Sequence, residues 1–363
     1  MNAVEISFRD WRNFADLTFR PAPAINIFLG QNAQGKTNIL EAINFASLLK
    51  SRAGREAELI RWGQKTALLR IKYLKAGISH ELAIEVSAAH TRRILLDANP
   101  IRPRELIGKL NSVLFTPEDL FMFKSSPATR RKFLDAQISQ AAPVYFMHLL
   151  KYNRLVEIRN ALLKKIRDNS AHADELDLWD EQLAEYAARV ASKRLAVVNK
   201  LNALANRLQQ KISAHTETLS IVYDMRGIGS TNILAEEFLK QLRARRFKDI
   251  QHGSTGMGAH LDDLKFFLNG RELKLFGSQG QLRTVALALK LSELEFLRAE
   301  TGEYPLLLLD DVMSELDASR RESLLEFLSR QQIQTLITAT DRAYFPTRTF
   351  GKIFLIRAGR LTE

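Results

Sequence analysis

The chain opens on an alternating run, Val4-Glu5-Ile6-Ser7-Phe8, which predicts a strand with one buried face. A second run, Leu17-Thr18-Phe19, follows Trp11-Arg12-Asn13-Phe14. Pro21 and Pro23 then break the chain before Ile25-Asn26-Ile27-Phe28-Leu29, an apolar strand that ends at Gly30 and passes into a helix from about Thr37 to Lys50. Three β-like runs follow over 68–74, 82–86 and 92–96, then a short one at Val113-Leu114-Phe115. From Pro127 to His215 the pattern changes: glycine is absent and apolar positions recur at helical spacing. Asp168-Asn169-Ser170 interrupts them, so the pattern predicts two long antiparallel helices joined by a short turn. No sustained heptad repeat makes this a long coiled coil.

Strand patterns return near 219–223, and a helix is expected over 234–247. Asn269-Gly270 between two apolar runs, 264–268 and 271–275, predicts a hairpin. A helix from about Gln279 to Glu300, a fully apolar strand Leu306–Leu309, a helix Ser319–Arg330 and strands near 334–338 and 353–356 complete the pattern. The plan is an α/β unit made from both chain ends with a helical unit inserted. Its expected bounds are 1–135 with 256–363, including a β-rich part at about 65–115, and 136–255 for the helical insert.

Composition narrows the chemistry. The 363 residues hold no cysteine, which excludes disulfides, thiolate metal sites and cysteine nucleophiles and fits a reducing cytoplasm. No apolar run reaches the ~18 residues of a membrane span, and Met1–Phe8 lacks the features of a secretory signal. The seven histidines are scattered without metal-binding spacing, and His260 is expected to be structural. The formal net charge is +12, and residues 50–132 contribute 17 Lys/Arg against 8 Asp/Glu, so +9 of it lies there. A one-sided basic region points to a polyanionic partner, nucleic acid first.

Three motifs carry chemistry. Gly30-Gln31-Asn32-Ala33-Gln34-Gly35-Lys36-Thr37 matches the phosphate-binding loop G-x-x-x-x-G-K-[ST] in its required setting, after a strand and opening a helix. Its backbone N–H groups can turn inward around phosphate, Lys36 can reach the β- and γ-phosphates, and Thr37 can hold Mg²⁺. Leu306-Leu307-Leu308-Leu309-Asp310-Asp311 is an apolar strand ending in two acids: Asp310 is a candidate Mg²⁺ ligand and Asp311 a candidate base for an attacking water. Gly277-Ser278-Gln279-Gly280-Gln281 opens a long helix 25 residues before that strand. Ser278 with the N–H groups after it is either a helix cap or a second anion site, Ser278 then serving nucleotide on another chain.

The order of these motifs, with Ser314-Glu315-Leu316-Asp317 after the second, resembles the ATP-binding-cassette heads of the chromosome-maintenance class. The finer resemblance is to the RecF family of bacterial recombination-mediator ATPases. It is carried by Phe8-Arg9-Asp10-Trp11-Arg12-Asn13-Phe14, Gly30 to Ile43, Phe115-Thr116-Pro117-Glu118-Asp119-Leu120, Arg130-Arg131-Lys132-Phe133-Leu134-Asp135, His260-Leu261-Asp262-Asp263, Phe276 to Gln281 and Leu309 to Asp317. The resemblance implies an ABC-type ATPase head with an inserted helical lobe. It implies that Gly30 to Thr37 bind ATP, that Asp310 binds the metal, that Asp311 replaces the glutamate of transporter-type cassettes, and that Ser278, Gln279 and Gly280 act in trans. It also implies that Arg12 and Asn13 approach the nucleotide and that Glu118 lies near the Q-loop position. Thr340-Asp341 stands where many cassettes have a histidine, so no γ-phosphate sensor is identified.

The implied function is an ATP-dependent dimer, slow as an ATPase, that binds DNA at single-strand gaps, supports RecA loading with RecO and RecR, and serves SOS induction. Candidate DNA contacts are Arg52, Arg55, Arg61, Arg92, Arg93, Arg102, Arg104, Lys124, Arg130, Arg131 and Lys132, with a second patch at Arg243, Arg245, Arg246 and Lys248. A transporter ATPase is the rival reading. It requires an L-S-G-G-Q signature, where this chain has Phe276-Gly277-Ser278-Gln279-Gly280. A small-molecule kinase needs neither the serine loop nor the basic excess, and no N-K-x-D or T-K-x-D motif supports a GTPase.

Overall fold

The structure is a computed structural model that describes residues 1–49, 54–89, 91–226, 233–345 and 351–362. It divides into two compact units: Met1–Leu120 with Ala286–Glu363, and Phe121–Val285. The second unit is therefore wider than the insert expected at 136–255. It also takes in the helix Pro127–Ala141, the strands after residue 262 and the serine loop, and its C-terminal boundary falls inside the helix Gln279–Thr301.

The first unit holds two six-stranded sheets. One is antiparallel, in the order Phe14–Phe19, Asn2–Trp11, Thr66–Lys75, Ile78–Ser87, Arg92–Leu96, Asn99–Pro100. The expected β-rich part at 65–115 is thus completed by the first two strands of the chain. The other sheet runs Arg360–Thr362, Gly351–Arg357, Ile25–Leu29, Thr335–Ala339, Leu306–Asp310, Ser112–Phe115 and is parallel except at its first edge. Ile25–Leu29, Leu306–Asp310 and Thr335–Ala339 are buried at every position, which is why they read as continuous apolar runs and not as alternating ones. The helix Lys36–Leu48 shares one core with both sheets: Ile39, Leu40, Ile43 and Phe45 pack with Phe8 and Trp11 from the antiparallel sheet and with Phe28, Leu308 and Leu336 from the parallel one. Trp11 and Phe45 meet at 5.7 Å between ring centroids. Burying that many large side chains is what fixes the start of this helix against the sheet.

In the second unit the helical pattern resolves into three helices, not two: Pro127–Ala141, Pro143–Arg167 and Leu176–Ile212. Pro143 stands at the first position of its helix, where its missing N–H costs nothing, and it ends the preceding helix after one residue. Ala235–His252 packs on them. Arg159, fully buried, bonds Asp180 at 2.7 Å and Asp249 at 2.8 Å and so ties three of these helices together. A three-stranded sheet of Leu219–Asp224, Asp263–Leu268 and Arg271–Glu272 completes the unit. The hairpin at Asn269-Gly270 is present, but its second strand is only two residues long, because Leu273–Phe276 forms a helical turn instead. Among the described residues no helix is long and apolar enough to cross a membrane.

Candidate nucleotide site

Four parallel strands end at one edge of the sheet in the first unit, and each delivers a candidate residue there. Ile25–Leu29 leads into the glycine loop, Leu306–Asp310 ends in its acids, Thr335–Ala339 leads to Thr340, and Ser112–Phe115 leads to Glu118 in the short helical segment Pro117–Lys124. The C-terminal edge of parallel strands is where α/β proteins bind their ligands.

The loop is held from several sides. Gly30 donates its N–H to the carbonyl of Ala339 at 3.3 Å, and a Cβ there would lie 2.5 Å from the carbonyl oxygen of Ile356. Gly35, at φ +102°, caps the helix Lys36–Leu48 with no side-chain hydrogen bond, and its carbonyl accepts the Asn38 N–H at 3.0 Å. Arg12 and Asn13 border the loop and the helix that follows it. Asn13 Nδ2 donates to the Gln34 carbonyl at 3.1 Å, and Asn38 Nδ2 donates to Asn13 Oδ1 at 2.7 Å. Arg12 pairs with Glu41 at 3.2 Å. The Gln34 side chain accepts the N–H of Ala358 at 2.6 Å. An open cleft of about 380 Å³ beside the loop is lined by Gly30, Gln31, Gln34 and Arg357.

Lys36 is buried and its ammonium bonds the carbonyls of Gly30 at 2.7 Å and Gln31 at 2.9 Å, inside the curl of the loop. Thr37 Oγ1 donates to Asp310 Oδ1 at 2.9 Å. Thr338, which sequence reasoning missed, donates to the same oxygen at 2.8 Å and accepts the N–H of Asp311 at 2.9 Å. Its only signal was a hydroxyl two residues before Thr340 in an apolar run. Burial pushes the Asp311 carboxyl above its usual range; the Lys36 ammonium opposes this and Asp310 adds to it.

The residues present suit Mg²⁺–ATP. The loop offers a helix N-terminus and a lysine to phosphate. Thr37 and Asp310 bring two hard oxygen ligands to one point, and nucleotide phosphates with water complete the set that Mg²⁺ takes. When bound, the ion neutralises charge on the β- and γ-phosphates.

Residues 3–355 match the family model described as RecF/RecN/SMC N terminal domain. Curated relatives named "DNA replication and repair protein RecF" include that of Heliobacterium modesticaldum, 39% identical over 371 residues, covering 100% of this chain and 99% of the relative. That of Lactococcus lactis subsp. cremoris is 42% identical over 347 residues, covering 94% and 92%. The chain belongs to the RecF family. A solved structure of the recombination mediator protein RecF-ATP superposes with a TM-score of 0.92 at 35% identity, covering 99% of this chain and 96% of that one. The corresponding RecF-ATPrS structure gives 0.91 at 35%, covering 99% and 97%. An Smc head with a TM-score of 0.58 at 14% identity, covering 100% and 96%, shares the fold alone.

The serine loop lies in the second unit and is exposed. Ser278, Gln279 and Gly280 are all exposed, as are Leu275 and Phe276 just before them. Ser278 is also the helix cap: Gln281 N donates to Ser278 Oγ at 3.3 Å and Ser278 N donates to Gln281 Oε1 at 3.1 Å. The helix-cap reading of this serine is met, and the cap leaves the loop exposed. His260 is held between Tyr152 and the Thr255 carbonyl, at 2.7 and 3.1 Å, and among the described residues no cluster of His, Asp and Glu could hold a metal by itself.

The basic candidates separate by burial. Arg130 is buried and makes two bonds to Asp263, at 2.8 and 2.7 Å, so it has no face for a phosphate. Arg92 turns inward to Glu56 and over the Phe45 ring, and Arg246 is taken by Asp180 and Asp177 at 2.7 and 2.6 Å. Arg131 bonds the Asp262 carbonyl. Arg130 is corrected to a structural role, while Arg92, Arg131 and Arg246 stay partly exposed beside these partners. Arg61 lies 3.6 Å from Asp10, Arg243 3.3 Å from Glu181 and Arg245 4.0 Å from Asp249, all partly open. Arg55, Arg93, Arg102, Arg104, Lys124, Lys132 and Lys248 are exposed, and Arg52 lies outside the described residues.

Proposed function

We propose that this chain is an ATP-dependent DNA-binding switch of DNA replication and recombinational repair. The observation that carries this is the union of Lys36, Thr37 and Asp310 at one strand edge, in a chain whose relatives are named for replication and repair and whose solved neighbours are RecF-ATP and RecF-ATPrS of the RecFOR pathway. ATP is held by Gly30 to Thr37 with Mg²⁺ on Thr37 and Asp310, and Asp311 serves a slow hydrolysis. Arg12 and Asn13 shape the loop from outside, and Glu118 approaches from the neighbouring strand. Two chains close on two nucleotides, Ser278, Gln279 and Gly280 of each reaching the nucleotide of the other. The exposed Leu275 and Phe276 give that contact an apolar margin. The closed dimer binds duplex next to a single-strand gap through phosphate contacts from the exposed cations, with little sequence preference. In the cytoplasm it works with RecO and RecR in RecA loading and SOS induction.

Sedimentation velocity with nonhydrolysable ATP and Mg²⁺ tests the switch. The chain should dimerise with nucleotide. Lys36→Ala should abolish dimerisation, and Ser278→Ala should keep ATP binding and lose it. A wild-type chain that stays monomeric at saturating nucleotide overturns the proposal.

A further inference from the structure

Trp62 leaves 98% of its surface in water, more than any other large apolar side chain among the described residues. Of the other two tryptophans, Trp11 is fully buried and Trp179 half-buried. The ring therefore contributes no packing to the fold. Its backbone, in contrast, is fixed. The Arg61 carbonyl accepts the Gln64 N–H at 3.0 Å, and Gly63 at φ +82° occupies the third position, the arrangement of a type II turn with Trp62 second. The turn is anchored on its N-terminal side where Arg61 N donates to the Asp10 carbonyl and Arg12 N to the Leu59 carbonyl, both at 2.8 Å. The strand Thr66–Lys75 anchors the other side. A rigid turn thus presents a large aromatic ring with both faces free.

The ring's neighbours in the chain point to its ligand. Arg61 and Lys65 flank it, Arg61 being held only loosely by Asp10 at 3.6 Å and Lys65 being exposed. Gly63, Gln64, Lys65 and Thr66 are all exposed, and none adds apolar surface to the ring, so it does not belong to a membrane-inserting patch or to an apolar protein-docking surface. An aromatic face beside cations is what takes a nucleic-acid base and its phosphate. A duplex keeps its base faces stacked inside, so the base must be unpaired.

We infer that Trp62 stacks on an unpaired DNA base, so that the chain reads the single-strand side of a gap at this turn. The inference rests on the DNA-binding function proposed above and names the part of the DNA that this turn recognises. Stacking removes the ring from water and quenches its emission.

The experiment follows tryptophan fluorescence of the full chain and of Trp62→Phe, alongside anisotropy of labelled oligo-dT, gapped duplex and blunt duplex, each with saturating nonhydrolysable ATP and Mg²⁺, and with Mg²⁺–ATP and no DNA. Oligo-dT and gapped duplex should quench wild-type emission but not that of Trp62→Phe, while blunt duplex binds without quenching. Trp62→Ala should weaken oligo-dT and gapped DNA by about 5- to 100-fold, the loss of one stacked base, and leave blunt duplex within roughly twofold. Trp62→Phe should retain most of the affinity. Since the ring packs against nothing, neither variant should change the melting temperature. Equal losses on blunt and gapped DNA, or gapped DNA bound without quenching, overturn the inference while the DNA-binding function stands. Quenching by Mg²⁺–ATP alone also overturns it, assigning the ring to the nucleotide's adenine. Failure to bind any of the three DNAs refutes the function itself and the inference with it.

Discussion

Thr37 and Asp310, 273 positions apart in the chain, are joined by a 2.9 Å hydrogen bond from the threonine hydroxyl to the carboxylate. The bond exists because the strands Ile25–Leu29 and Leu306–Asp310 flank Thr335–Ala339 in one parallel sheet, so their ends converge. Asp310→Asn keeps an oxygen for Thr37 and Thr338 but removes the charge a metal needs. We expect a fold that survives with a loss of about 1 kcal/mol, the cost of weakening a charged hydrogen bond. Nucleotide affinity should lose its dependence on Mg²⁺. Titrating fluorescent ATP with Mg²⁺ and with EDTA checks this; a variant that keeps the wild-type difference removes Asp310 from the metal role.

Gly35 answers to two constraints at once. Its φ of +102° suits glycine, and a Cβ there would lie 2.3 Å from Asn13 Nδ2. Gly35→Ala should cost about 1–3 kcal/mol in backbone strain and abolish ATP binding. Adding Asn13→Ala frees the space but not the dihedral angle, so the double variant should remain unable to bind ATP. Calorimetric titration of both variants decides it. Restored binding in the double variant would show that the steric clash alone mattered.

Arg130 and Lys132 stand two positions apart with opposite exposure. Arg130→Ala leaves the partly buried Asp263 with only the Leu264 N–H, and should lower stability by about 1–3 kcal/mol. Lys132→Ala should leave the melting temperature unchanged and reduce the salt dependence of DNA binding by about one unit of slope. Thermal unfolding and affinities at four salt concentrations separate the two. A Lys132→Ala variant with an unchanged slope excludes this side chain from phosphate contact.

These pairs show what the sequence could convey. The glycine loop, the acidic strand end and the capped serine were legible because each is a local pattern: a run, a spacing, a turn residue. Arg130 was not, because its partner Asp263 lies 133 positions away and no spacing rule connects them. Thr338 escaped notice for the same reason, since its role depends on parallel pairing with Asp310. The helical insert was legible as helix but miscounted. Ala142 is a single cap residue between Ala141 and Pro143, and apolar periodicity does not register so short a break. At Leu273–Phe276 an apolar run that alternation could not classify closed into a helical turn.

Glu293 offers a test of pH. It is fully buried on the helix Gln279–Thr301, and Lys290 Nζ lies 3.3 Å from both its Oε1 and Asp119 Oδ1. One ammonium thus faces two carboxylates, of which Asp119 also accepts the Thr116 N–H at 2.8 Å. Burial accordingly pushes the Glu293 carboxyl up to about 8, Lys290 opposing and Asp119 reinforcing. In the unfolded chain the same group titrates near 4.5. Between these values the folded chain holds the extra proton, so this group's stabilising contribution is complete below 4.5 and is lost as pH rises towards 8. Glu293→Gln keeps the shape of the neutral acid and cannot ionise. Its stability relative to wild type should therefore rise with pH by up to about 1 kcal/mol per unit between 5 and 8, then level off. Urea unfolding of both proteins at pH 6, 7, 8 and 9 provides the measurement. A difference that does not change with pH would mean that Glu293 is ionised throughout as a partner of Lys290, and that Asp119 is not the carboxylate Lys290 serves.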